Sequence, residues 1–157
     1  MIIDVQGSGK RVRAQVEDFA TYCALRLCPR MAALCVTVEL VPNLLEKEGI
    51  YGECFPEDIT DFSKPREFVI RADSRVHPRK RLITIAHEMV HVKQYAKGEL
   101  YQSRLTQLHR WHGKWITEEI EYWDLPWEIE AHGREEGLFV RWAQDRKLTG
   151  QSWTHEP

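Results

Sequence analysis

Thr84-Ile85-Ala86-His87-Glu88-Met89-Val90-His91-Val92-Lys93-Gln94 decides how this chain is read. It contains His-Glu-x-x-His, the pattern by which a helix grips zinc. Residues four apart on an α-helix sit about 40° apart around the axis and one turn along it, so His87 and His91 point the same way. Glu88, beside His87, is placed to act as general base on a water at the ion's open position. The flanking residues Leu82, Ile83, Ile85, Ala86, Met89, Val90 and Val92 predict a buried helix, and Gly98 offers its C-terminal stop. Such a string also arises by chance on helices. Burial argues against chance here, because two imidazoles and a carboxyl in apolar surroundings need partners or a metal.

A chain of 157 residues suits a single domain, expected over 1–148 with a loose tail at 149–157. Its net charge of −2 gives no global case for a nucleic-acid or membrane partner. No run approaches membrane-spanning length. Met1-Ile2-Ile3-Asp4 lacks a basic segment leading into an apolar core, so no secretory signal is expected. Cys23, Cys28, Cys35 and Cys54 form no Cys-x-x-Cys pair and read as reduced, mostly buried thiols of a cytoplasmic protein.

After a short extended start, Val12, Val16, Phe19, Cys23 and Leu27 recur at helical spacing, and Pro29 ends the amphipathic helix they define. Leu34 to Val41 reads as a buried strand and Leu44 to Gly49 as a charged connector. Ile50 to Phe55 is a shorter strand weakened by Gly52, and Pro56 to Pro65 is a polar loop. Glu67 to Ala72 is a further strand. The fold class is therefore α+β, with a small, mainly antiparallel sheet of three or four strands. It packs with the N-terminal helix, the metal helix and a C-terminal ligand-bearing helix. The basic run Arg75 to Arg81 opposes the dipole of the metal helix and reads as a solvated lead-in. Tyr101 to Trp123 is irregular but too aromatic for a linker, and is expected to fold over the site. Asp124 is a plausible cap for a helix opened by Pro126 and running to about Arg146.

Catalytic zinc keeps three protein ligands and an open position, so a third donor must come from elsewhere. Glu128 begins the stripe Glu128, Ala131, Glu135, Leu138, Phe139, Trp142, whose far end must face the core. Glu130 lies about 200° away, on a face expected to be solvated. Glu128 is thus the preferred third ligand, with His132 one turn later as a supporting partner or spare ligand. His112, in Trp111-His112-Gly113-Lys114-Trp115, competes for the third position, and His109 is a weaker candidate.

His87-Glu88-Met89-Val90-His91 followed by Glu128-Ile129-Glu130-Ala131 resembles the gluzincin arrangement. There two histidines and the leading glutamate of a later Glu-x-x-Ala segment hold zinc. The passage from Tyr122 to Ala131 is similar to small SprT-like or minigluzincin-type metallopeptidases, many of them phage-encoded. The resemblance covers roughly Phe68 to Trp142. It implies a zincin-like fold, Zn2+ as cofactor and hydrolysis of peptide bonds, with Glu88 as general base. It also implies that Phe68 to Arg71 is the edge strand lining the cleft. Several gluzincins have Asp where this chain has His132, and SprT proteases take a third histidine from a His-Gly segment that His112-Gly113 echoes. Tyr122 is the first candidate to stabilise the oxyanion, ahead of His112 and His109. The expected partner is a peptide or protein substrate met by a monomer. The alternatives are a binding domain with structural zinc, and a DNA-associated protease of the SprT and Spartan kind, for which Arg75 to Arg81 is the support.

Overall fold

The computed structural model describes residues 1–58 and 64–155; the middle of the expected 56–65 loop lies outside the described residues. The chain opens with strand β1 (Ile2–Gln6), helix α1 (Lys10–Leu27) and strand β2 (Cys35–Val41). A short helix α2 (Leu44–Glu48), strand β3 (Gly52–Pro56) and strand β4 (Glu67–Asp73) follow. They build a sheet of order β1-β2-β4-β3. β1, β2 and β4 are mutually parallel, and only β3 runs antiparallel, against β4. The fold is α+β as expected, but the sheet is mixed rather than mainly antiparallel. The reason is the 18-residue α1 between β1 and β2, long enough to carry the chain back to the starting edge and so permit parallel pairing.

This order corrects the expected edge strand. Phe68–Arg71 belongs to β4, which is flanked by β2 and β3, so Phe68, Val69 and Ile70 are buried. The edges of this sheet are β1 and β3. Helix α3 (Pro78–Lys97) runs beside β3 and is buried along residues 81–94. Gly98 ends it in the left-handed conformation (φ 73°), donating to the carbonyls of Gln94 and Tyr95. β3 comes so close to α3 that residue 52 must be glycine. A Cβ there would lie 2.6 Å from Thr84 Cγ2 and 2.9 Å from the Arg71 carbonyl oxygen.

The irregular stretch after α3 contains a three-stranded antiparallel sheet, β5 (Leu100–Gln102), β6 (His109–Trp111) and β7 (Lys114–Trp115). Its last hairpin turns at His112-Gly113, both with positive φ (44° and 82°), the conformation of a two-residue β-turn. Helix α4 (Pro126–Asp145) then packs against α3. Leu125, not the expected Asp124, takes its N-cap position, because Tyr122–Asp124 coils as a 3-10 turn ahead of it. In the core, Phe19 meets Trp142 edge-on with centroids 5.1 Å apart, and Asp18 accepts from Trp142 Nε1 at 2.7 Å, fastening α4 to α1. The expected loose tail lies against this body as far as His155. Thr154 is buried and its carbonyl accepts from Arg79 Nε at 3.2 Å. No helix among the described residues is long and apolar enough to cross a membrane.

Gly133 offers a control for Gly52. It is an exposed helical glycine with open space where a Cβ would go. Urea unfolding should show Gly52→Ala destabilised by about 1–3 kcal/mol through overpacking. Gly133→Ala should gain about 0.5–1 kcal/mol from helix propensity and a stiffer unfolded chain.

Candidate metal centre

His87 and His91 project from the middle of α3, and Glu128 from the first turn of α4. All three are between 8% and 9% exposed. His87 Nε2 lies 3.1 Å from His91 Nε2 and 3.1 Å from Glu128 Oε2, and His91 Nε2 lies 3.4 Å from Glu128 Oε1. Ligands held about 2.0–2.1 Å from a tetrahedral ion are separated by roughly 3.3 Å, so the three donors have the spacing of one face of such a site. They can share a single metal ion.

The far side of each imidazole fixes which nitrogen faces inward. Gln94, fully buried, donates its amide nitrogen to the Trp127 carbonyl at 2.9 Å and to Glu130 Oε2 at 3.0 Å. Its oxygen is thereby turned to His91 Nδ1, 2.8 Å away. An amide oxygen only accepts, so this network assigns the proton to Nδ1 and leaves the Nε2 lone pair aimed at the triad. Glu135 does the same for His87, accepting from Nδ1 at 2.7 Å. Burial alone would lower the His87 pKa. Its hydrogen bonds to Glu128 and Glu135 outweigh that and raise it to about 9. Burial would likewise raise Glu128, but its bonds to His87 and His91 hold it well below the usual carboxylate range. Protons and a cation therefore compete for the same lone pairs.

His87, His132 and Glu135 form a second group with donors within 4.8 Å of one another. There the His87–Glu135 separation of 2.7 Å is that of a charge-assisted hydrogen bond, shorter than the edge of a coordination polyhedron. This group supports the first ligand set rather than rivalling it.

Glu88 is only 6% exposed and faces the cleft beside Gly52, with no hydrogen bond among the described residues. Burial is the main cause that raises its pKa to about 7; His91 and His87 pull the other way. The cleft has a volume of about 480 Å³ and runs from Tyr51 and Lys80 past the triad to His132 and Glu135.

The expected site residues are thus brought together at His87, Glu88, His91 and Glu128. Tyr122 joins them: its hydroxyl donates to Glu128 Oε2 at 2.8 Å and lies 3.2 Å from His132 Nε2. His132 contacts the site through that hydroxyl and through Glu135, 3.4 Å from its Nδ1. His112, the competing third ligand, lies apart from the triad. It occupies the exposed hairpin turn, and neither metal-competent group includes it. His109 reaches the cleft wall but lies stacked on Trp127, with centroids 4.9 Å apart. Glu130 is not on a solvated face. It is half-buried and holds Lys93 Nζ at 2.6 Å together with Gln94. Sequence reasoning missed Gln94 and Glu135 as supporting partners. The signal was present: Gln94 is one turn past His91, and Glu135 lies two turns past Glu128 on the same stripe.

No family model, curated protein or solved structure matches the chain.

Removing either supporting partner should loosen the ion without removing a ligand. Gln94→Ala and Glu135→Ala should each weaken Zn2+ affinity by about 10–100-fold in competition with a chromophoric chelator. His112→Ala should leave it unchanged.

Proposed function

We propose that this protein is a small zinc metallopeptidase of the gluzincin, SprT-like kind, with His87, His91 and Glu128 as ligands and Glu88 as general base. One observation carries the reading: three converging donors open onto a cleft beside a buried carboxyl that has no partner of its own. A zinc ion held there would lower the pKa of its water to about 7 and polarise a substrate carbonyl. The donor set of two imidazoles and a carboxylate suits that ion.

The chain's own groups supply the rest. Glu88, with proton affinity raised by burial, accepts a proton on its carboxylate and later delivers it to the departing amine. The Tyr122 hydroxyl, half-exposed at the rim of the triad, donates its one hydrogen to Glu128; turned from that carboxylate toward the substrate, it would donate instead to an oxygen on which negative charge develops. β3 takes the role first expected of Phe68–Arg71. Its edge is free and Gly52, Glu53 and Cys54 line the cleft, so an extended peptide can add to the sheet by main-chain hydrogen bonds. A purely structural zinc would want a fourth protein donor, and neither metal-competent group supplies one to this triad. The basic run on which the nucleic-acid alternative rests is exposed at Arg75 and Lys80 but is not a continuous exposed patch. Arg79 pairs with Glu136 at 2.6 Å and Arg81 is buried.

Glu88→Gln should keep one equivalent of zinc, measured by atomic emission, while peptide hydrolysis falls by about 10³-fold or more. Tyr122→Phe should lower kcat by about 10²-fold at unchanged zinc content. Full activity in Glu88→Gln would end the hydrolase reading.

A further inference from the structure

The basic run before α3 has a part that the proposed chemistry leaves unused. Lys80 is the sole lysine or arginine among the described residues that line the cleft. Its ammonium sits 4.3 Å from the centre of the Tyr51 ring. Neither the Lys80 ammonium nor the Tyr51 hydroxyl has a hydrogen-bond partner among the described residues, and no carboxylate there pairs with Lys80. Behind Lys80, Arg81 is 5% exposed and also lacks a carboxylate. Its Nη1 reaches back to the Ser74 carbonyl at 3.1 Å, beside the turn leading into α3, and its Nε is buried without an acceptor. The first turn of α3 contains no acidic residue, and its cap, His77, makes no side-chain capping bond. Among the described residues this end of the cleft therefore carries a positive charge that only the Tyr51 ring face contacts; Glu53, nearby in the lining, is paired with Arg71, and the other end carries Glu88, Glu128 and Glu135.

Geometry gives the charge a direction. Glu88 lies beside Gly52, where β3 begins, and Tyr51 and Lys80 lie just before it. A peptide pairing antiparallel with the free edge of β3 would run its C-terminal half past Tyr51 toward Lys80. Lys80 and Glu88 are eight positions apart on α3, about 12 Å along the axis. That corresponds to about three residues of extended peptide.

Resting on the peptidase reading above, the geometry points to a carboxylate subsite formed by Lys80 and Tyr51, which selects peptides bearing a carboxylate about three residues beyond the reacting bond on its C-terminal side. The carboxylate is either the peptide's own C-terminus or an Asp or Glu side chain. Lys80 binds it by charge and the Tyr51 hydroxyl by hydrogen bonding, while buried Arg81 adds to the positive potential from behind.

Two pools of random-sequence peptides, identical except for a C-terminal carboxylate or carboxamide, test this with the zinc-loaded protein and mass-spectrometric reading of the cleavage sites. Cleavage about three residues before the end should be roughly tenfold stronger in the acid pool, the size expected of one charge-assisted hydrogen bond. If the source is a side chain, Asp and Glu will instead be enriched at that offset in both pools. Lys80→Gln should bring either preference close to one, and Lys80→Glu should invert it. Cleavage with no acidic preference, or a preference that survives Lys80→Gln, overturns the subsite and leaves the peptidase standing. A second arm separates the two ideas: fluorescence polarisation of labelled acid and amide pools on zinc-loaded Glu88→Gln. Acid-selective binding lost in Glu88→Gln/Lys80→Gln, with no cleavage by the parent protein, keeps the subsite and removes the peptidase. Absence of both cleavage and acid-selective binding removes the subsite as well.

Discussion

Three lone pairs converge on one point between α3 and α4, and much of the surrounding structure is arranged around that conflict. His87 Nε2, His91 Nε2 and the Glu128 carboxylate are all acceptors once Glu135 and Gln94 hold the protons on the opposite nitrogens. Acceptors 3.1–3.4 Å apart repel unless something positive lies among them. A neutral interior cannot supply it, since the Tyr122 hydroxyl offers a single donor hydrogen to Glu128. Protonation of an imidazole answers part of the demand, which is why the His87 pKa rises although burial opposes it. A dication answers all of it. The site is thus one whose stability without an ion depends on bound protons, and whose donors are already spaced for coordination.

The same logic extends outward. Gln94 cannot turn, because its amide nitrogen serves both the Trp127 carbonyl and Glu130. Glu130 in turn is held by Lys93 and by Arg134 at 2.9 Å, and Lys93 also meets Glu99 at 2.6 Å. Lys93, Glu99 and Glu130 are half-buried or deeper, so each offsets the desolvation of the next, while Arg134 closes the network from the surface. The result is a rigid path from the chain around α3's C-terminal end to the orientation of a single ring nitrogen. α3 can hold so many polar groups because β4 and α1 supply apolar contact on its other sides, with Ile85, Ala86, Met89, Val90 and Val92 in the common core.

Much of this was legible in the sequence, and the parts that were not share a cause. The α3 histidines, the Gly98 stop and the choice of Glu128 over Glu130 follow from helical angles, which are local and fixed. β4 was misplaced at the edge because a run such as Phe68-Val69-Ile70 says that a strand is buried, not which strands flank it. Its place is set by the return of β2 beside β1, a long-range event. Gly52 read as a weakness of β3; its meaning, close approach to α3, needs the partner's position. His112-Gly113 read as a candidate ligand segment, yet His-Gly is equally good turn chemistry, and the pairing of Trp111 with Lys114 decides for the turn. Glu130 read as solvated because its charged helical neighbours did; Lys93, from another helix, was not visible at that distance.

The hairpin that captures His112 also bears on what kind of centre this is. A closed structural site would need a fourth donor, and the only imidazoles from the β5–β7 region are His109 and His112. Stacking on Trp127 engages the His109 ring, and the positive-φ turn holds His112 in solvent. Trp127 is itself fixed, because its carbonyl is bound by Gln94. Among the described residues, the aromatic packing along the cleft wall is therefore what keeps these two imidazoles away from the triad. The absence of a further donor at the triad among the described residues and the order of the second sheet are two consequences of one set of contacts.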